Sequence, residues 1–279
     1  MDRFEEWRIF TTVAADRSFS RAAKRLAKSP QAITRAVAAL EARIETRLLH
    51  RTTRSVSLTA AGEQYLERAR RVLGDFEALE APDDAELRGT LAITASVMFG
   101  QLHVAPVVAA FLDDHPRVAA HLVLLDRVVS LAEEGLDAGV RIGPLPDSSL
   151  VARLVGHVRT VIVASPNYLD DAGALRTDTL AKHAVIDFAG MKPIARNPRW
   201  TVNTAQAAID LALANHGLVR VLSYQVAAHV EAKRLRIVLP SLEPPPLPVH
   251  LVYLPGRLAR ITAAFLEVAA PALRARLLQ

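Results

Sequence analysis

Gln31, Thr34 and Arg35, with Pro30 just ahead of them, bring an amide, a hydroxyl and a guanidinium to one place. On a helix, residues three and four apart share a face, so these three form one polar cluster. Such groups hydrogen-bond base edges and phosphates. Ser29 before Pro30 is an N-cap followed by proline at the first helical position, where the missing N–H costs nothing. Further on, Arg51 and Arg54 lie in LLHRTTRSVSL, residues 48–58. Its β-branched residues and alternation predict a small hairpin, too short for a major groove and suited to backbone or minor-groove contacts. The charge around these residues agrees. From Arg17 to Arg54 there are ten basic and two acidic side chains, net +8, whereas the whole chain carries only +5. A basic block in an otherwise slightly acidic protein is an electrostatic footprint for a polyanion.

Other chemistries leave no trace. The absence of cysteine excludes disulfides, thiolate metal sites and cysteine nucleophiles. The nine histidines show neither HxxxH nor HExxH spacing, and no GxGxxG, GxxxxGK[ST] or GxSxG occurs. The carboxylate pairs Asp113-Asp114, Glu133-Glu134 and Asp170-Asp171 read as solvated helix ends. No catalytic residue, metal or cofactor is expected, and the chain is not read as an enzyme. The N-terminus is charged and lacks a signal peptide's apolar core. No apolar run approaches the roughly 18 residues that span a bilayer. Cytoplasmic residence without a membrane partner follows. The length of 279 residues leaves room for two or three domains.

The elements that must carry the polar cluster are legible. Phe4, Trp7, Phe10 and Val13 recur at helical spacing, predicting a first helix from about Asp2 to Ala15. Ser18 caps a short second helix with Phe19, Ala22, Ala23 and Leu26 inward. The third helix runs to about Ile44, with Ile33, Val37, Leu40 and Ile44 on its apolar side. Three short helices with a tight turn between the second and third make a helix-turn-helix, whose third helix enters the major groove of duplex DNA by its N-terminal end. Thr59 then caps a long helix to about Glu80. Its stripe of Leu66, Ala69, Leu73 and Phe76, flanked by Val72 and Leu79, either packs on its own domain or forms a dimer seam. A long helix outside a three-helix core favours the seam.

The stretch FSRAAKRLAKSPQAITRAVAALEARIETRLLHRTTRSVSLTAAGEQYLERA resembles the N-terminal domain of LysR-type transcriptional regulators, with RLLHRTTRSVSLTAAG the most specific part. The resemblance implies a winged helix-turn-helix at 1–58 and a linker and dimerisation helix with its hinge at 59–88. It assigns Ser29, Pro30, Gln31, Thr34, Arg35, Arg51 and Arg54 to DNA. Two positions depart from the pattern. Thr34 replaces a usual Ser and keeps the hydroxyl, while Glu45 stands where the family often has Gly, a residue free to turn left-handed.

Past the acidic hinge at Pro82-Asp83-Asp84, strands are predicted at Gly89–Ala95, Val118–Leu125, Val140–Ile142, Thr160–Ala164 and Val249–Leu254. Helices are predicted at Phe99–Asp113, Val129–Glu134 and from Arg260 onward. Strands alternating with helices argue for a parallel sheet with right-handed crossovers. VMFG, HVAPVVAAFLDDHP, EEGLDAGVRIGPLPDSSLVARLV and ASPNYL resemble the same family's effector domain. That implies an α/β domain at 89–279 of two subdomains similar to periplasmic binding proteins. Residues 89–162 with 249–279 form the first and 163–248 the second. It also implies a small-molecule effector, and dimers that associate into tetramers.

Ligands in such sheets bind beyond the carboxyl ends of the strands, where helix N-termini favour negative charge. The expected effector is therefore a small organic acid. Ser96 is the foremost pocket residue, with Val97, Asp126, Ile142, Asn203 and Leu222 following by position. The segment between Phe188 and Trp200 is shorter than the family's, and His216 and Arg220 are bulkier, so a narrowed cleft and action without a ligand remain an alternative.

Overall fold

The computed structural model describes residues 2–51, 56–80, 86–145, 149–256 and 258–278. The chain divides into two compact units: residues up to Leu91 with short returns at Asp114–Ala120 and Ala259–Ile261, and the remainder.

The first unit begins with α1 (Arg3–Asp16), α2 (Phe19–Arg25) and α3 (Pro30–Arg43). Ser18 and Ser29 cap the second and third, accepting from the N–H of Arg21 and Ala32. Ile9, Phe10, Val13, Ala22, Ala23, Ile33, Val37 and Leu40 close the core between them. The hairpin of β1 (Leu49–Arg51) and β2 (Val56–Leu58) follows in antiparallel register, then α4 (Ala60–Glu80). The Thr59 hydroxyl accepts from Gly62 N–H at 2.9 Å and donates to the Arg47 carbonyl at 2.8 Å. Glycine at position 62 has a packing reason. A Cβ there would lie 2.0 Å from the Leu48 carbonyl oxygen, so α4 approaches the hairpin only without a side chain. Glu45 adopts φ 52, the left-handed turn that glycine takes without strain. The acidic hinge at 82–84 lies outside the described residues.

The second unit holds two five-stranded sheets. Its elements are β3 (Gly89–Ala95), α5 (Val97–Phe99), α6 (Ala105–Asp114), β4 (Val118–Leu124), β5 (Ala138–Ile142), β6 (Val151–Val158), β7 (Thr160–Ala164) and α7 (Pro166–Asp171). Then come β8 (Val185–Phe188), β9 (Trp200–Val202), α8 (Ala205–Leu213), β10 (Leu218–Leu222), α9 (Ser223–Glu231), β11 (Arg236–Val238), β12 (Leu247–Tyr253) and α10 (Arg260–Leu277). One sheet runs β4-β3-β5-β12-β6 and the other β11-β7-β10-β8-β9. The chain crosses between them at Arg159 and again ahead of β12. There the Arg159 guanidinium grips the Glu243 carboxylate through three hydrogen bonds of 2.8–3.0 Å.

Three expectations are corrected. The sheets are mixed rather than parallel: β3/β5, β8/β10 and β8/β9 are parallel, whereas β12 pairs antiparallel with β5 and β6, and β7 with β10 and β11. β7 enters the second sheet, and β12 re-enters the first, where the chain crosses between the sheets, and both run antiparallel to the strands they join. The helix expected at Phe99–Asp113 begins at Val97 and includes a π turn, Gly100–Val104, just before Pro106. Proline cannot donate to the ladder, and the wider turn absorbs the mismatch. The helix expected at 129–134 is a single hydrogen-bonded turn, ended by Gly135 at φ 66.

By length and composition alone Val97–Asp114 could cross a membrane, contrary to the expectation that no segment comes near that length. Here it buries Phe99, Val104, Val107, Val108 and Phe111, and Phe111 meets Phe265 of α10 edge-on at 5.4 Å.

Candidate nucleic-acid interface and effector cleft

Because α3 turns Ile33, Ala36, Val37 and Leu40 inward, its other side is left to solvent. Ser29, Pro30, Gln31, Thr34, Arg35 and Ala38 are all exposed there. The Ser29 hydroxyl is occupied in capping, and Thr34 Oγ1 donates back to the Pro30 carbonyl at 2.9 Å. Among the described residues no hydrogen bond or ion pair holds Gln31 or Arg35, so both are available to a partner. Arg51 ends β1, and Arg54 lies outside the described residues.

Part of the basic block is already neutralised. Lys28 pairs with Glu5, Arg25 with Asp16 at 3.3 Å, and Arg43 with the nearly buried Glu6 at 2.7 Å. The hydrogen bond to Glu6 raises the Arg43 pKa further above its ordinary value. Glu41 accepts from the N–H groups of Leu48 and Leu49, fixing the entry to the hairpin. Arg17, Lys24, Arg35 and Arg47 stay exposed.

The stripe on α4 divides. Leu66 and Ala69 are buried in the core of their own unit, so the expectation that they lie in a dimer seam is corrected: α1 packs against this part of the helix. The Trp7 indole donates to the Tyr65 hydroxyl at 2.8 Å beside them. Beyond, Val72 and Phe76 are exposed and Leu73 is half-buried; the Phe76 ring touches Phe4 at 4.4 Å.

In the second unit a cleft of about 260 Å³ opens between the two sheets. The first sheet and its loops contribute Thr94, Ser96, Asp126, Arg127, Val140, Arg141, Ile142 and Leu145, and the second contributes Phe188, Gly190, Met191, Leu222, Tyr224 and Gln225. Of the residues expected in the pocket, Ser96, Asp126, Ile142 and Leu222 line it. Val97 and Asn203 are not among the lining residues; Asn203 sits exposed at the bend between β9 and α8.

The polar groups here are arranged unusually. Ser96 occupies the N-cap position of the helix but makes no cap bond, and its buried hydroxyl oxygen has no well-aligned hydrogen bond, although the Tyr224 hydroxyl lies near enough to interact with it. The cap is supplied across the sheet by Asp126, whose Oδ1 accepts from Val97 N–H at 3.0 Å. Tyr224 is largely buried, which pushes its hydroxyl up to about 12; the Asp126 charge adds to the rise and the adjacent Ser96 hydroxyl opposes it. The Tyr224 ring meets Phe99 edge-on at 5.2 Å and His103 at 5.4 Å. Arg141 Nη2 donates to the Val129 carbonyl at 2.6 Å, and Arg127 lies 3.7 Å from Glu134.

Tyr224, Gln225, Arg141, Phe188 and Met191 were not anticipated. Tyr224-Gln225 follows directly on Leu222-Ser223, and the Gln225 amide oxygen accepts from Leu222 N–H at 2.9 Å, a helix-start signal that could have located them. The short segment after Phe188 does reach the cleft, through Gly190 and Met191. His216 and Arg220 do not line it: His216 lies against Trp200 and Arg220 donates to the Lys192 carbonyl.

An exposed polar face on a helix-turn-helix, in one chain with a two-sheet α/β domain enclosing a cleft, is the build of a DNA-binding regulator with a substrate-binding domain. Residues 4–63 match the family described as bacterial regulatory helix-turn-helix protein, lysR family, and residues 84–274 match the LysR substrate binding domain. The chain belongs to the LysR family of transcriptional regulators. The helix-turn-helix transcriptional regulator YhjC of Escherichia coli K12 is 32% identical over 273 residues, covering 91% of each chain. The structure of CrgA, a LysR-type transcriptional regulator from Neisseria meningitidis, is 29% identical, covers 98% of each chain and superposes with a TM-score of 0.59. The full-length Vibrio cholerae virulence activator AphB, 21% identical with a TM-score of 0.61, shares the fold over 96% of this chain and 98% of its own. The protein is a DNA-binding transcription regulator with a substrate-binding domain, and its relatives are named as regulators rather than enzymes.

Proposed function

We propose that this regulator acts in the cytoplasm as a homodimer or homotetramer, and that a small organic acid in the cleft controls its grip on duplex DNA. The N-terminal end of α3 reads base edges through Gln31 and Arg35, with Ser29, Pro30 and Thr34 beside them. Arg51 and Arg54 meet the phosphate backbone or the minor groove. In the dimer, Val72, Leu73 and Phe76 of α4 supply the apolar contact, since Leu66 and Ala69 already serve their own core. The domain limits that fit this reading are 1–58, 59–88 and 89–279, with the subdomains dividing near 162 and 249. Ligand binding acts by favouring one pre-existing arrangement of the subdomains.

The observation carrying the ligand reading is the Ser96 hydroxyl, buried without a well-aligned partner at a largely apolar cleft whose lining includes two arginines. A buried hydroxyl without a partner costs on the order of 1–3 kcal/mol, which a ligand would recover. The helix N-terminus is not where the acid group goes, because Asp126 already occupies it. Arg141 keeps further N–H donors beside its bond to the Val129 carbonyl, and Arg127 would share its 3.7 Å pairing with Glu134, so these two receive the charge.

A thermal-shift screen of organic acids on the full chain tests this. Stabilisation of about 2–3 kcal/mol is expected at a hundredfold excess over Kd. Ser96→Ala removes that response and leaves DNA affinity intact, while unliganded stability does not fall and is expected to rise, since Ser96 makes no cap bond and its buried hydroxyl lacks a good partner. If no acid stabilises the protein, the ligand reading fails. Asp126 then acts as a built-in occupant and the regulator works without an effector.

A further inference from the structure

The cleft lining carries both signs of charge, Asp126 beside Arg127 and Arg141, and this narrows the ligand beyond a simple acid. Its lining includes Asp126, the buried Ser96 hydroxyl oxygen and the largely buried Tyr224. It also includes Arg127 and Arg141, and Val140, Phe188 and Met191 are among its apolar residues. Asp126 turns the helix start from a site for anions into one that repels them, because its carboxylate already takes the Val97 N–H. A ligand carboxylate placed there would meet like charge. Asp126, Ser96 and Tyr224 have spare acceptor capacity: two carboxylate oxygens, of which one lone pair is spent, and two hydroxyl oxygens. Acceptors around an anion are completed by a cation bearing several N–H donors, and an ammonium has three.

We infer that the effector is an amino-bearing organic acid, its carboxylate toward Arg127 and Arg141 and its ammonium toward Asp126 and Ser96, and that Asp126 is the residue selecting for the amino group. This rests on the cleft being the effector site. A carboxylate-to-ammonium contact is charge-assisted, and its loss is read as a roughly tenfold or larger change in Kd. Asp126→Asn is the informative change, because an asparagine oxygen still accepts from Val97 N–H and keeps the helix start while the charge is removed.

The test uses the full chain and matched probes: phenylalanine, phenyllactate and 3-phenylpropionate, and 5-aminopentanoate beside pentanoate, each titrated by thermal shift and calorimetry. In the wild type the amino compound of at least one set binds roughly tenfold or more tightly than its unsubstituted partner. In Asp126→Asn that preference collapses, with the melting temperature of the free protein unchanged. Equal or tighter binding of 3-phenylpropionate and pentanoate in the wild type would overturn the inference. So would an amino preference that survives in Asp126→Asn. If unsubstituted acids bind and Ser96→Ala abolishes their binding, the cleft reading stands and only the amino selectivity falls. If no probe in either set binds, both fall.

Discussion

Gln31, Thr34 and Arg35 stand on one helix within five residues of chain, and helix geometry alone puts them on one face. The cleft gathers Ser96, Asp126, Arg141, Leu222 and Tyr224 from well-separated segments of two sheets. In the first unit a capped helix on a three-helix core exposes the working face. In the second, the working groups face one another only after both sheets are complete. The contrast teaches where each site is vulnerable. The DNA-binding face depends on one small core, whereas the cleft depends on long-range registers such as the β12 pairing with β5 and β6.

The largest expected effect breaks the first unit and spares the second. Leu40 is wholly buried under α3, and Leu40→Ala is expected to cost about 2–5 kcal/mol. DNA binding is lost, while calorimetry of the full chain still shows the second unit's transition and its response to ligand. A simultaneous collapse of both transitions would show that the two regions do not behave independently. Next in size is Gly62→Ala. Alanine favours helix by about 1 kcal/mol over glycine, yet the clash with the Leu48 carbonyl is expected to reverse the sign, with a net loss of about 1–3 kcal/mol in denaturant titrations. A stabilised variant would mean that α4 does not approach the hairpin this closely.

Glu45→Gly is the smaller converse. It relieves a left-handed residue and is expected to stabilise the first unit by up to about 1 kcal/mol at most, after the entropy glycine adds to the unfolded chain. In the second unit the corresponding small effect depends on pH. Both ring nitrogens of His103 are buried without partners, and burial first, then the Arg276 charge, lower its pKa from 6.5. The fold therefore favours the neutral ring. Its contribution is whole above pH 6.5 and is lost as pH falls from there through the lowered value. Melting curves at about pH 7.5 and about pH 5.5 are expected to show a smaller acid loss in His103→Leu than in the wild type. Equal slopes would remove His103 from the account.

The sequence made the DNA-binding unit legible nearly to the residue, because caps and a 3.6-residue period act over one or two turns. Ser18, Ser29 and Thr59 are at the caps where their positions predicted them. Which of the two uses Leu66 and Ala69 serve is not legible locally, because their partner, α1, lies about sixty residues away in sequence. In the second unit β3, β4, β5, β7 and β12 were legible as apolar runs. The eight-residue β6 was not, since an edge strand that exposes Val151 and Leu154 carries no clean alternation. Ser96 was found because it ends a strand before a helix. Nothing local announces that Asp126 will cap that helix from the far end of β4, and this one contact changes the chemistry expected of the cleft.

The central claim is that the exposed start of α3 reads base sequence. Its most direct measurement is the affinity of wild-type protein and Gln31→Ala for a selected operator and for random duplex at one fixed salt concentration. The account predicts a wild-type preference of about a thousandfold or more. Gln31→Ala is then expected to lose about 1–3 kcal/mol on the operator and almost nothing on random DNA. An equal loss on both duplexes, or no operator preference in the wild type, would contradict it.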